Sequence, residues 1–342
     1  MHALAAISAA LILALTHTPP AMAGPALLFD ASNGQVLYAE DPDDSWYPAS
    51  LTKIMTAYVA FEAVKTGKLT LDQKIPISEA ASLQPPSKVG LPVGHDLTVE
   101  QALQALIVKS ANDVAVMLAE AISGSEAEFV AKMNATAKRL GMTRSNFVTA
   151  NGLPAPEQSS TARDLAKLTF AVIRDFPEYA RYWAMPEMRI GKIRLATHNA
   201  LLKTFEGADG FKTGFTCDSG YNVVASATRD NRRLVAVVLG EPDGQSRAIR
   251  AASLLEHGFA MQGWKTLFNS TTIENMSMST DVKNLASMRT AVTAWSCGNH
   301  PQRVRAAKKT NKVGELKDKV AAVKSKAKTQ SAAAKPPAST GN

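Results

Sequence analysis

Residues 209–217, 220–228 and 232–240 read DGFKTGFTC, GYNVVASAT and RRLVAVVLG. Each is a short run rich in β-branched, aromatic and small residues, which predicts three strands over 208–240. The turn Thr228-Arg229-Asp230-Asn231 is short enough to make the last two an antiparallel pair. Residues 26–40, ALLFDASNGQVLYAE, place two more short apolar strands around Asn33-Gly34, the pair preferred in a type I′ hairpin turn. Helical signals fill the middle. Leu51, Ile54, Met55, Tyr58 and Val59 recur at amphipathic spacing over 50–65, and Gly67 closes that run. A second stretch, 98–122, breaks in character at Ser110-Ala111-Asn112. Further helices are expected from about 126 to 140, ending at Gly141, and over 161–175 and 245–260. Strands at both ends of such a chain must meet in space to share a sheet. The expected fold is therefore α/β, a mainly antiparallel sheet with helices packed on it, not a doubly wound parallel sheet.

The 342 residues suffice for one large domain plus an appendage, or two domains. Ala3 to Leu15 is apolar except for Ser8, and Ala21-Met22-Ala23 follows two prolines, so residues 1–23 read as a signal peptide with an A-x-A cleavage site. Its leading region lacks Lys and Arg. A membrane span needs roughly 20 apolar residues, more than this run has. Export leaves Cys217 and Cys297 open between a disulfide and two buried small side chains. Residues 303–342 hold eleven Lys/Arg against two Asp/Glu, net +9 in a chain of +8, so residues 1–302 carry about −1. The basic character belongs to the tail, which argues against a nucleic-acid groove in the folded part. We expect a folded unit over 24–264, a weakly structured extension over 265–302 and a basic disordered tail over 303–342. The tail reads either as a solvated linker or as an electrostatic contact with anionic lipid, at about 1 kcal/mol per basic residue.

Three short elements carry chemistry. Ser50–x–x–Lys53 is weak alone, since Ser325–Lys328 matches it by chance in the tail. Ser50 is open between a helix N-cap and a nucleophile whose base is Lys53, one turn along the same face. As a base, Lys53 needs a pKa depressed by burial or a neighbouring cation. Ser110-Ala111-Asn112 reads either as a cap of the following helix or as polar side chains turned into a cleft. Lys-Thr-Gly occurs twice. Lys65-Thr66-Gly67 is an ordinary helix end. Lys212-Thr213-Gly214 lies in a strand, where a Gly marks close approach and Lys and Thr suit a carboxylate. No metal-ligand spacing appears around His95, His198 or His257, so no metal and no cofactor are expected.

Taken in order, the three elements resemble the motifs of the penicillin-recognising serine enzymes. YPASLTKIMTA, KSANDVAV, NGLPAPEQSSTARDLAKL, GADGFKTGFT and GYNVVASA are similar to the lines of one branch, the D-alanyl-D-alanine carboxypeptidases among the low-molecular-mass penicillin-binding proteins. The likeness covers roughly residues 25–262. It implies a β-lactamase/transpeptidase-like fold, an antiparallel sheet flanked by helices beside a mostly helical subdomain, with the site between them. It also implies that Ser50 attacks the carbonyl between the last two D-alanines of a peptidoglycan stem peptide, with Lys53 as base and Ser110 relaying a proton to the leaving amine. Asn112 then holds the peptide backbone, and Lys212 and Thr213 bind the terminal carboxylate. Gly214 lets the strand approach, and the N–H groups of Ser50 and Phe215 form the oxyanion hole, worth on the order of 3 kcal/mol per donor. β-Lactams are the implied acylating inhibitors. Arg247 either assists with the carboxylate or is a solvated residue of a helix start.

Class A β-lactamases share the motifs but deacylate through a Glu. No Glu with the expected surroundings lies between Asn112 and Lys212, and Ser-Ala-Asn replaces Ser-Asp-Asn. Transpeptidase or endopeptidase action on the same peptides is the nearer alternative. The non-enzyme alternative is a wall-binding or β-lactam-sensing protein with a decayed site, and the intact motifs argue against it. Many family members carry a β-rich second domain and an amphipathic C-terminal helix, and neither signal follows residue 264. The expected location is the periplasm or the outer face of the cytoplasmic membrane.

Overall fold

A computed structural model describes residues 24–261, 270–293, 297, 318, 319 and 322. The expected signal peptide, most of the basic tail and residues 262–269 lie outside the described residues. The chain opens with β1 (Ala26–Asp30) and β2 (Val36–Glu40), then a 3₁₀ turn at Ala49–Leu51 that runs into α1 (Thr52–Lys65). There follow β3 (Lys74–Pro76), α2 (Glu79–Ser82), β4 (Asp96–Thr98), α3 (Val99–Val108), α4 (Asn112–Ser123), α5 (Glu126–Arg139) and α6 (Ala162–Asp175). Next come α7 (Ala180–Trp183), β5 (Glu187–Ile190), β6 (Ile193–Ala196) and α8 (Leu201–Thr204). The chain then makes β7 (Ala208–Thr216), β8 (Gly220–Arg229), β9 (Arg232–Glu241) and α9 (Gly244–Ala260).

The ends do meet. The main sheet has the order β2-β1-β9-β8-β7 with all neighbours antiparallel, and Leu28 opposite Ala236 seals the two ends of the chain together. Alternation sorts the side chains. Leu27, Phe29, Val235, Val237 and Leu239 face the helical part, while Ala26, Leu28, Leu234, Ala236 and Val238 face α9 through Ala248, Ala251, Ala252 and Leu255. Both faces are covered, so the strands read as continuous apolar runs. Two small ribbons, β3–β4 and β5–β6, were not expected; their strands are three and four residues long, too short for a clear pattern.

Two local expectations are corrected. The β1–β2 connection spans Ala31–Gln35, and of Asn33 and Gly34 only Gly34 has positive φ, at 74°. This is not the two-residue type I′ turn, because the Asn33 side chain accepts from Gln35 N and holds a longer loop. The paired positive φ values fall instead at Asp230 (48°) and Asn231 (61°) between β8 and β9. Helix α1 is also not amphipathic: every residue from Thr52 to Phe61 is buried. It is the central helix, packed among α3, α4, α5 and α6, and its polar residues turn inward. Thr56 Oγ1, for example, donates to Ala150 O at 2.5 Å.

Residues 270–293 hold no helix or strand, yet they strap the domain. Val36 N donates to Thr271 O, Ile273 and Val292 are fully buried, and Lys283 N donates to Asp44 Oδ1. Cys217 and Cys297 form a disulfide, which decides the alternative left open by spacing. Among the described residues no helix is long and apolar enough to cross a membrane.

Candidate active site

Ser50 sits in the 3₁₀ turn, not at a helix cap; the cap of α1 is Leu51, with no side-chain capping bond. Its hydroxyl is 3.0 Å from Lys53 Nζ. The Lys53 side chain is fully buried, and its amine also meets Asn112 Oδ1 at 2.7 Å and Asn151 O at 2.5 Å. Desolvation, and then the charge of Lys212, push its pKa well below the ordinary lysine value, with Asp113 opposing. A neutral amine has two N–H donors and one lone pair. The two carbonyl oxygens take the donors, which leaves the lone pair facing the Ser50 hydroxyl, the arrangement of a general base.

The break at Ser110-Ala111-Asn112 is real, and neither polar side chain caps α4, whose N-cap is Ala111. Ser110 adopts a left-handed conformation at φ 62° and is 5% exposed. Asn112 is oriented by donating from Nδ2 to Pro85 O at 2.9 Å while its Oδ1 receives Lys53. One Nδ2 hydrogen remains for a peptide carbonyl, so the side chain can serve as both strut and holder. A loop over 84–90, unforeseen in the sequence, frames this corner. Gln84 Oε1 accepts from Asn151, Ser87 O accepts from Asn112 N, and the buried Asp113 carboxylate accepts from Val89 N and Gly90 N. Nothing short of contact across 23 or more residues reveals such partners.

Strand β7 forms the opposite wall. A Cβ added to Gly214 would stand 3.0 Å from Pro48 O and 3.2 Å from Ser50 N, so this glycine lets the strand lie against the nucleophile's turn. Asn222 on β8 fastens the same turn, donating to Tyr47 O at 2.9 Å and accepting from Gly240 N. Phe215 packs on Tyr221, with ring centroids 4.2 Å apart. Lys212 and Thr213 are buried, and the Lys212 amine donates to Thr213 O at 3.0 Å. Burial, and then Arg247, lower the Lys212 pKa to about 7. Arg247, in the first turn of α9, is buried, touches His198 O at 3.3 Å and lies over the Tyr221 ring; desolvation lowers it to about 10. Of the two readings of Arg247, the solvated one is excluded by this burial. His198, which the sequence left aside, stands at the rim. Desolvation and then Lys212, Lys109 and Arg247 push it down to about 4, and because the residue is exposed the three cations are the firmer cause. Neither Lys212 nor Arg247 has an ion-pair partner among the described residues, so this wall is built for an anion. The other Lys-Thr-Gly copy ends α1, where Thr66 Oγ1 donates to Glu62 O, an ordinary helix terminus.

A family model described as D-alanyl-D-alanine carboxypeptidase matches residues 14–243. D-alanyl-D-alanine carboxypeptidase DacA of Haemophilus influenzae is 40% identical over 258 residues, covering 73% of this chain and 65% of that protein. DacC of Escherichia coli is 39% identical over 240 residues, 68% of this chain and 60% of that protein. The chain thus spans about three fifths to two thirds of the length of these relatives. Among solved structures, penicillin binding protein 5 from Haemophilus influenzae superposes with TM-score 0.68 at 40% identity, over 70% of this chain and 71% of that one. Penicillin-Binding Protein D2 from Listeria monocytogenes in its cefotaxime-bound form gives 0.64 at 33% identity, over 69% and 97%. With the serine–lysine pair, the antiparallel sheet and a family match across two thirds of its length in agreement, the chain belongs to the D-alanyl-D-alanine carboxypeptidase family.

Proposed function

We propose that this protein is a serine-type D-Ala-D-Ala carboxypeptidase that removes the last residue of peptidoglycan stem pentapeptides. The observation that carries the reading is the buried Lys53 amine 3.0 Å from the Ser50 hydroxyl. The terminal carboxylate binds at Lys212, Thr213 and Arg247, where burial makes each charge-assisted bond strong. Lys53 takes the Ser50 proton as Oγ attacks the penultimate carbonyl. The N–H groups of Ser50 and Phe215 hold the resulting oxyanion. Ser110 passes the proton to the leaving D-alanine amine as the C–N bond breaks, leaving an ester on Ser50. Water, deprotonated by the same base, then cleaves the ester. A β-lactam presents the same carbonyl and carboxylate and acylates the same oxygen.

The reading includes export, with residues 1–23 removed and the protein acting in the periplasm or at the outer face of the cytoplasmic membrane. Residues 24–264 are the catalytic unit, 265–302 an extension and 303–342 a basic tail available to anionic lipid. Mass spectrometry of a pentapeptide digest tests the function. Wild type should yield the tetrapeptide and free D-alanine, and Ser50→Ala should lose at least about 10⁴-fold in rate. Equal product from both proteins would sink the assignment, and cross-linked or internally cleaved products would replace it with transpeptidase or endopeptidase action.

A further inference from the structure

The far end of α1 borders a second hollow. A cavity of about 450 Å³ opens between α1, α5 and the end of α4. Ala63, in its wall, is ten residues beyond Lys53, about 15 Å at 1.5 Å per residue, so the place is separate from the serine site. Val59, Ala63 and Ile122 give it a buried apolar floor. Ligand pockets of roughly 300–1,000 Å³ combine such walls with a few placed polar groups.

Here the polar groups are mainly cationic. Lys68, Lys132 and Arg139 line the cavity against one carboxylate, Glu62. Arg139 Nη2 donates to Glu62 Oε1 at 2.6 Å, and that pair cancels. Lys68 and Lys132 are exposed, and neither has an ion-pair partner among the described residues, so two positive charges remain. Thr136 adds a group inside. It lines the cavity and is 4% exposed, yet its hydroxyl has no hydrogen-bond partner among the described residues. Thr66 and Thr169 turn theirs back to the carbonyl four residues earlier, at 2.8 and 2.7 Å, and Thr136 does not. Bare carbonyls at the end of α1 would repel an anion. They are occupied: Glu62 O and Ala63 O accept from Thr66 Oγ1, and Val64 O accepts from Gly67 N.

We propose that this cavity is a binding site for an amphiphilic anion, with a carboxylate or phosphate held by Lys68, Lys132 and the Thr136 hydroxyl and an apolar body on Val59, Ala63 and Ile122. The head gains charge-assisted hydrogen bonds and the body leaves water, so the site asks for both halves in one molecule. The basic tail of this chain has the wrong sign to fill it. A free amphiphile and an anionic lipid share the required chemistry. The inference goes beyond the carboxypeptidase reading and does not depend on it.

Calorimetric titration of the full chain with octyl phosphate, and with octyltrimethylammonium as the cationic control, tests the site. Octyl phosphate should bind once per chain and raise the melting temperature, and the cation should do neither. The double variant Lys68→Gln/Lys132→Gln should weaken binding roughly tenfold or more, and Lys68→Arg/Lys132→Arg should retain it. Ala135→Phe, at an exposed position of α5 in the cavity wall, should block the floor and weaken binding with both lysines in place. Sedimentation with phosphatidylglycerol vesicles, against phosphatidylcholine, separates the sources. Vesicles held by wild type and released by the glutamine and phenylalanine variants assign a lipid. Octyl phosphate binding with vesicles held equally by every variant, or by none, assigns a free amphiphile. Lack of stoichiometric octyl phosphate binding, or binding that survives both the glutamines and the phenylalanine, overturns the site and leaves the serine chemistry untouched.

Discussion

Two regions of this molecule bury cations, and they treat them in opposite ways. Beneath the strap, Arg163 is 3% exposed and makes a two-point contact with the equally buried Asp43, Nε to Oδ1 at 2.6 Å and Nη2 to Oδ2 at 2.8 Å. The carbonyls of Met276 and Ser277 take further guanidinium hydrogens. Across the domain, Lys212 and Arg247 are also buried but have carbonyls and an aromatic face around them; among the described residues neither has a carboxylate at ion-pair distance, Asp243 acting on Arg247 only from further away. The first region spends its counter-charge on the fold. The second withholds it, so that the missing carboxylate can come from the substrate. An unpaired buried charge costs free energy, and it is tolerated where binding recovers that cost.

The contrast breaks most visibly at Asp43. Asp43→Ala leaves Arg163 buried alone and should lower unfolding stability by about 3–5 kcal/mol in urea melts, with β-lactam acylation per folded molecule retained. The mirror experiment is Lys212→Met. It should cost about a hundredfold in kcat/KM for a carboxylate-terminated peptide, while stability stays level or rises, because the variant removes an uncompensated charge. A loss of stability matching that of Asp43→Ala would show that the two regions do not differ.

The smallest effect is in pH. Lys212 titrates near 7 in the folded chain and near the ordinary lysine value when unfolded. Between those values the unfolded chain holds a proton that the folded one lacks, so stability should rise with pH from about 7 to about 10.5. Urea midpoints for wild type and Lys212→Met at pH 6.5 and pH 9 isolate this slope, and parallel curves would contradict it. For kcat/KM, loss of the same proton from the free enzyme should bend the profile downward above about pH 7.

Much of the site was legible in the sequence because its parts are short and local. One helical turn places Lys53 against Ser50 in any helix, and Gly214 in a strand announced a close approach that the turn at Pro48 and Ser50 supplies. What was not legible depends on partners distant in the chain. Asn151, Gln84 and Pro85 surround Lys53 and Asn112 from loops without a periodic signal. His198 looked isolated because Lys109, Lys212 and Arg247 reach it from three other elements. The misplaced type I′ turn has partly the same origin: Asn33-Gly34 carries the preference, but the Asn33 side chain on Gln35 N and the contacts of Gln35 and Val36 with the strap at Thr272 and Thr271 together hold a longer loop.

By itself the sequence determined the short apolar runs of β1, β8 and β9, the helix break at Ser110 and the order of the three motifs, since each depends on residues a few positions apart. Only the tertiary structure decided that α1 is buried on all sides, that Cys217 and Cys297 are bonded, and that the strap brings Arg289 to Asp218. Periodicity reports which face of an element is apolar. It cannot report how many neighbours cover that element, nor which distant residue completes a charge, because those are set by the closure of the whole chain.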